Sequence, residues 1–578
     1  MVATIFWCSE ASAGSITIEI RHLWKNEPLT IPSKGFTTTA GETISVTRLS
    51  YLLSNPVLTR TETKKRLARS DWFAFVDAEA GNASIILRNL PDARISNLAF
   101  EIGLDEKADK SEISQYPANH PLNPLVNGLH WSPQGGYIFL ALEGHTSEGG
   151  AFSYHLGNPL NRIPISLPVE LDLNRDSTIH LDFHLDRIFD SDPPFATQSQ
   201  TSTHSRKGDP VVEILKTRIA EAFTVKQVTD VEIIALENVI TGEKTGSPLI
   251  GTPYRFKLRK GFPIPNLPTD YPLTDERIKL GEALFHDARL SRTNKISCAS
   301  CHEKKLAFTD GAQNSVGVES RKGIRNSMPL LNLAWKNSFF WDGRTPSLRE
   351  QALAPIEDHL EMDESLANVV SKIADYEPLF EKAFGSPEIN AGRIGIAIEQ
   401  FVITLTSFDS RFDQAAAGKI ELTASEKRGL ELFMTEFDPR RNLRGADCFH
   451  CHGGAFFTDH RFRNNGLAST GDDRGVENVT GKKSDRNKFS TPSLRNIALT
   501  APYMHDGRFD SLEEVVAHYV SGIHRSETLD PNLGKHGGNG IPLSEDDQKA
   551  LIAFLRSLTD EKLTTPEKRN NRVGSSNQ

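Results

Sequence analysis

The pattern Cys-x-x-Cys-His occurs twice in this chain, as Cys298, Cys301 and His302 in ISCASCHEKK and as Cys448, Cys451 and His452 in ADCFHCHGGA. Four of the five cysteines lie in these two copies. A Cys-x-x-Cys pair alone suits a redox dithiol or half of a zinc site, but a histidine directly after the second cysteine adds a different capability. Two thioether bonds can fix the edge of a porphyrin while the adjacent imidazole reaches the iron as its proximal ligand. One zinc held by all four thiolates would require the motifs to converge and would leave both histidines without a role. The repeated motif therefore predicts two covalently bound c-type haems, with His302 and His452 as iron ligands. Haem attached in this way is normally assembled outside the cytoplasm, which predicts a periplasmic protein. A carrier closes both irons with a sixth ligand, whereas an oxidase or peroxidase leaves one open, and with five methionines in the chain there are few thioether candidates.

The elements that must position these motifs change character along the chain. At 578 residues, with 38% hydrophobic and 24% charged, it is long enough for several domains with cores of their own. A net charge of -9 carries no basic footprint and argues against nucleic acid. No run approaches the ~18 apolar residues of a membrane span. The opening MVATIFWCSEASAG reads either as a truncated signal sequence over residues 1–13, which would remove Trp7 and Cys8, or as an ordinary frayed terminus. From residue 14 to 190 apolar residues alternate, as in Ile16, Ile18 and Ile20 or Ile179, Leu181 and Phe183, which predicts an antiparallel β-sandwich. Residues 191–260 read as a linker with connecting helices. Beyond them the period is helical, predicting two cytochrome c-like haem domains at 261–420 and 421–562 and a polar tail at 563–578.

From Gly261 to about Thr559 the phrases LGEALFHDARLS, SCASCHEKKLAFTDG, FFWDGRTPSLREQA and STPSLRNIALTAPYMHDGRFDSLEEVVAHY, in that order, resemble the bacterial di-haem cytochrome c peroxidases of the group that includes MauG. The resemblance implies that the haem at His302 is the open one. It implies that Glu361 is the distal proton-moving acid, with Gln351 and Pro355 in the same pocket, and a carboxylate suits the proton delivery that O–O cleavage needs. Where many relatives carry a displaceable distal histidine this chain has Val318, which implies that no reductive activation is needed. It also implies that Trp341 relays electrons between the haems, that Asn326, Thr500 and Pro502 hold a calcium ion through oxygen, and that Arg325 and Arg495 meet the propionates. At the second haem ordinary peroxidases present a methionine, whereas LEEVVAHYVSG here presents Tyr519, with His505 and His518 as competitors. Tyrosine is what MauG and its relative MbnH have there, and a phenolate favours high oxidation states.

GETISVTRLSYLLSNPVL, DWFAFVDAEAG and NGLHWSPQGGYIFLALEG resemble the MbnP family of periplasmic copper-binding β-proteins, over about Gly14 to Phe189. In that pairing MbnH converts a tryptophan of MbnP to kynurenine, which helps bind copper, so substrate and enzyme look fused here. His22 and Trp24 lie two apart on one strand and share a face, making Trp24 the first expected target and His22, His155 and His184 the expected copper ligands. Trp131, in a region where Pro133 departs from the family pattern, is the alternative, and Trp72 is a third. The resulting expectation is a peroxidase-type oxidoreductase that uses hydrogen peroxide to reach a bis-ferryl state and oxidises a tryptophan in its own or a partner MbnP-like domain. The alternatives are a peroxidase that detoxifies peroxide with electrons from a small c-type cytochrome or copper protein, and a non-enzymatic copper or electron carrier.

Overall fold

The computed structural model describes residues 14–564 except 80–83, 132–134, 148, 175, 204, 206–207, 231–249, 257, 260, 266, 440–442 and 470. The signal-like segment with Trp7 and Cys8, the substituting Pro133 and most of the polar tail lie outside the described residues.

Two sheets face each other in the N-terminal part. The strands that carry the argument are β1 (Gly14–Trp24), β2 (Thr43–Arg60), β3 (Ser84–Leu90), β4 (Arg94–Ile102), β5 (Ile138–Thr146), β6 (Ala151–Gly157), β7 (Ile163–Asp172), β8 (Ser177–His184) and β9 (Phe223–Asp230). One sheet runs β9-β8-β1 with β3 on the far side of β1, and the other runs β7-β4-β2-β5-β6. The pairing is antiparallel with exceptions that include β1 and β8, which run parallel with Ile18 opposite Ile179 and His22 opposite Phe183. β7 alternates between buried and exposed residues along almost its whole length, as a strand with one wet face should. Eight of the nine residues of β5, and all seven of β6, are buried. Their inner face supplies Leu140, Leu142, Phe152 and Tyr154 to the sandwich core. Their outer face, with Glu143, Ser153 and His155, is covered by the haem region, where Ser153 Oγ lies 2.7 Å from Asn532 Oδ1.

The segment expected to be a linker belongs largely to the sandwich. Phe195 is buried in the core, and the Glu42 carboxylate accepts from the backbone N–H and the hydroxyl of Thr197, at 2.7 and 2.6 Å. Residues Ser202–Thr203 pair with β6, helix α1 (Pro210–Ala222) buries Val211, Val212, Leu215 and Ile219, and β9 closes the first sheet against β8. The sandwich thus runs to about residue 230. A short apolar content was misleading because one carboxylate and an edge strand anchor the polar stretch.

The haem region is mostly helical: α2 (Asp275–His286), α3 (Leu348–Glu357), α4 (Ala391–Thr404), α5 (Ala424–Met434), α6 (Leu512–Ser521) and α7 (Glu545–Ser557). Thr274, Thr423, Ser511 and Ser544 cap four of these at their N-termini. The two halves repeat one device. A Cβ on Gly281 of α2 would lie 1.9 Å from the Ala397 carbonyl of α4, and one on Gly429 of α5 would lie 2.0 Å from the Ala550 carbonyl of α7. Glycine is what lets each pair of helices pack with its backbones in contact.

Candidate functional site

Both Cys-x-x-Cys-His motifs sit on a single short turn followed by a loop that folds back on the histidine. His302 Nδ1 donates to the Phe308 carbonyl at 2.7 Å, and His452 Nδ1 donates to the Phe457 carbonyl at 3.1 Å. In a neutral imidazole this leaves the lone pair on Nε2, the tautomer and orientation a metal ligand requires. Burial holds both rings toward the neutral form by lowering their pKa. Phe308 and Phe457 each adopt a left-handed backbone conformation to present the carbonyl. Neither was singled out from sequence, although Phe-Thr-Asp follows each motif and was a readable signal. Burial pushes the Cys298 thiol up to about 12 and that of Cys301 up to about 11.

Glu361 sits in the turn after α3, close enough that its charge raises both Cys298 and Cys301. Burial, with a smaller contribution from Asp358, pushes its carboxyl up to about 7 against the opposing charge of Arg344. Gln351 and Pro355 are four apart on α3 and share a face, and the Met362 N–H donates back to the Pro355 carbonyl at 3.1 Å. Val318 is buried, and its N–H donates to the Glu361 carbonyl at 2.8 Å.

The second motif opens onto a largely apolar cavity lined by Cys448, Cys451 and His452 and by Tyr519 of α6. Trp341 lines the same cavity. Its indole N–H donates to the Asn326 carbonyl at 2.9 Å, and the hydroxyl of the next residue, Ser327, donates to the Cys301 carbonyl at 3.2 Å. The tryptophan is therefore tied to the first motif while facing the second. Asn326, Thr500 and Pro502 also line this cavity. Among the described residues no group of three or more His, Cys, Asp or Glu is arranged to hold a metal. His518 turns away: its Nε2 donates to the Asn465 carbonyl at 3.1 Å. His505 reaches the cavity but stacks on Phe489, with ring centroids 3.6 Å apart. Met504 also faces the cavity and was not weighed from sequence. Arg325 is met by Asp342 and Asp473, and Arg495 by Asp413, so carboxylates of the chain itself already neutralise both expected propionate partners.

The sandwich residues distribute differently from expectation. Trp24 is buried in the sandwich core, stacked on Phe36 with centroids 4.5 Å apart. His22 shares that face, its Nε2 3.0 Å from the Tyr51 hydroxyl. His184 pairs in register with Leu23, one residue out of step with His22, and so lies on the opposite face, where its ring meets Thr224. His155 is on the other sheet, its Nε2 2.9 Å from Glu143. The three expected copper ligands are thus not brought together. Trp72 donates to the Ile86 carbonyl on β3. Trp131 is instead docked on the second motif: the Gly454 N–H donates to the Trp131 carbonyl at 3.2 Å, and its ring lies 6.1 Å from that of Phe449, between the two cysteines. A Cβ on Gly453 would stand 2.6 Å from the Trp131 carbonyl, so only glycine admits this approach. A narrow pocket here is lined by Trp131, His130, His155, His450 and His460.

Two Cys-x-x-Cys-His motifs on duplicated helical halves, with an indole between them and one carboxylic acid beside the first, define a two-haem c-type enzyme. The comparisons with known proteins agree. The family model for di-haem cytochrome c peroxidase matches residues 275–421, and that for MbnP matches residues 13–205. The methylamine utilization protein MauG of Methylorubrum extorquens is 37% identical over 327 residues, 56% of this chain and 88% of that protein. The cytochrome c551 peroxidase of Nitrosomonas europaea is 34% identical over 305 residues, 51% and 84%. A solved structure described as a MauG-like protein associated with microbial copper homeostasis is 35% identical and covers 54% of this chain and 98% of its own, with a TM-score of 0.48. The chain belongs to the di-haem cytochrome c peroxidase and MauG family, with an MbnP-type domain fused at its N-terminal side.

Proposed function

We propose that this enzyme uses hydrogen peroxide to oxidise Trp131 of its own N-terminal domain, in the periplasm, and that the product contributes to a copper site there. The observation that carries this reading is the docking of Trp131 on the second motif, two residues from His452 through the Gly454 hydrogen bond. Cys298, Cys301 and His302 hold one haem, and Cys448, Cys451, His452 and Tyr519 hold the other. The haems, when bound, supply the oxidising equivalents of peroxide. Glu361, with a pKa near neutrality, takes a proton from one peroxide oxygen and returns it to the other, and Gln351 and Pro355 shape that pocket. Trp341 carries electrons between the two sites, and Asn326, Thr500 and Pro502 hold calcium beside it. The sandwich then presents Trp131 and excludes bulk water. Two peroxides add two oxygen atoms to the indole and leave two waters. Hydrolysis of the resulting formyl group yields kynurenine and formate.

The test is peptide mass spectrometry of the haem-loaded chain before and after peroxide, following Trp131, Trp24 and Trp72 at several protein concentrations. We expect the mass of kynurenine at Trp131 alone, at a rate independent of concentration. Consumption of peroxide with a reduced small cytochrome, and no change at Trp131, would instead make this a detoxifying peroxidase.

A further inference from the structure

We infer that Asn465 selects the side chain offered to the second haem, tying back Met504 and holding Tyr519 in place. This rests on Tyr519 being that haem's side-chain ligand. Tyr519 and Met504 both line the cavity that contains Cys451 and His452, so the chain offers that cavity two side chains of different ligand chemistry. The Asn465 amide nitrogen is 3.3 Å from the Tyr519 hydroxyl oxygen and 3.5 Å from the Met504 sulfur. An amide NH₂ has two hydrogens, one for each acceptor. Its orientation is not arbitrary, because Asn465 Oδ1 accepts from the Leu467 N–H at 3.3 Å, which turns the nitrogen toward the cavity. The Asn465 carbonyl is in turn held by His518 of α6, the helix that carries Tyr519. Asn465 therefore sets the phenol oxygen relative to its own helix and occupies the thioether with a hydrogen bond. A partner behind a ligand commonly fixes its orientation in this way. Methionine ligation raises a haem potential, whereas a phenolate favours higher oxidation states, so the choice between the two decides what the second haem can do.

The experiment compares haem-loaded native, Asn465→Ala, Asn465→Asp and Asn465→Ala/Met504→Leu chains by absorption and electron paramagnetic resonance spectra and by midpoint potential of the second haem. Asn465→Asp keeps the acceptor for Leu467 and removes the donors, which guards against a variant that fails to fold. We expect both single variants to lose phenolate-to-iron charge-transfer absorption and to shift the potential upward, and the double variant to restore the native spectrum. Native spectra and potential in both single variants would overturn the inference. So would a changed spectrum that Met504→Leu does not restore, since Asn465 would then be only structural. Tyr519→Phe separates the two levels: an unchanged spectrum there overturns the tyrosine reading itself, whereas a changed one with silent Asn465 variants overturns only the selection.

Discussion

At the scale of single residues, Glu361 shows how burial makes a reactive group from an ordinary one. Its carboxyl moves from 4.5 to about 7, chiefly because the charged form is desolvated. The folded chain therefore holds a proton at Glu361 that the unfolded chain releases between these two values. Stability from this group is fully present below about 4.5 and declines as pH rises to about 7, the reverse of a salt-bridged carboxylate. Glu361→Gln is expected to flatten that decline in denaturant midpoints measured across the window. The same substitution should slow the reaction with peroxide by roughly 10²-fold or more, the usual worth of a positioned proton carrier, in stopped-flow measurements. Binding of the haem should be unaffected, since the residue offers the porphyrin no covalent bond.

At the scale of elements, close backbone approach does what side-chain contacts alone could not. The loop carrying Val318 passes over the Glu361 turn so closely that a Cβ on Gly317 would stand 2.1 Å from the Leu360 carbonyl and 2.4 Å from that of Glu361. Gly317→Ala must therefore move one of the two segments. We expect it to reduce the rate with peroxide at least tenfold while the spectrum of the second haem stays native, with separate spectra of the two haems as the check. Glycines at Gly281 and Gly429 do the equivalent work between helices, letting one helix pair in each half pack backbone against backbone.

At the scale of the whole molecule, the outer face of the second sheet is an interior surface. Glu143 is buried between Arg48 at 3.0 Å and His155 at 2.9 Å, with Arg463 of the haem region 3.9 Å away. Burial opposes its charge, but Arg48, His155 and Arg463 outweigh that and hold its carboxyl well below the usual range. Arg463 is itself paired with Asp459 and Asp530. Ser202 donates to Glu436 at 2.8 Å, and Arg461 pairs with the sandwich residue Glu79. Removing one partner from such a network leaves uncompensated buried charge, so Glu143→Ala is expected to cost about 3–5 kcal/mol in denaturant unfolding. Because its partner His155 lines the pocket that holds Trp131, it should also lower the yield of modified Trp131 per peroxide consumed.

The local order of residues was enough to show the two Cys-x-x-Cys-His motifs, the switch from period two to a helical period, and the family phrases around Glu361, Trp341 and Tyr519. These depend on spacings of a few residues, where covalent geometry and helix or strand periodicity leave little freedom. The pattern around β1 also placed His22 and Trp24 correctly on one face. It could not say what covers that face, and the cover is Phe36, Tyr51 and Phe183 of the sandwich core rather than a metal or a haem. The period of a strand likewise separates His184 from His22 only once the parallel register of β1 and β8 is known. Contacts between residues hundreds of positions apart, Trp131 on Gly454 and Phe449 or Ser153 on Asn532, come from the docking of one domain on another. Such docking follows the shape and charge of whole surfaces, which no short window of sequence contains, and it alone brought Trp131 and not Trp24 to the second motif.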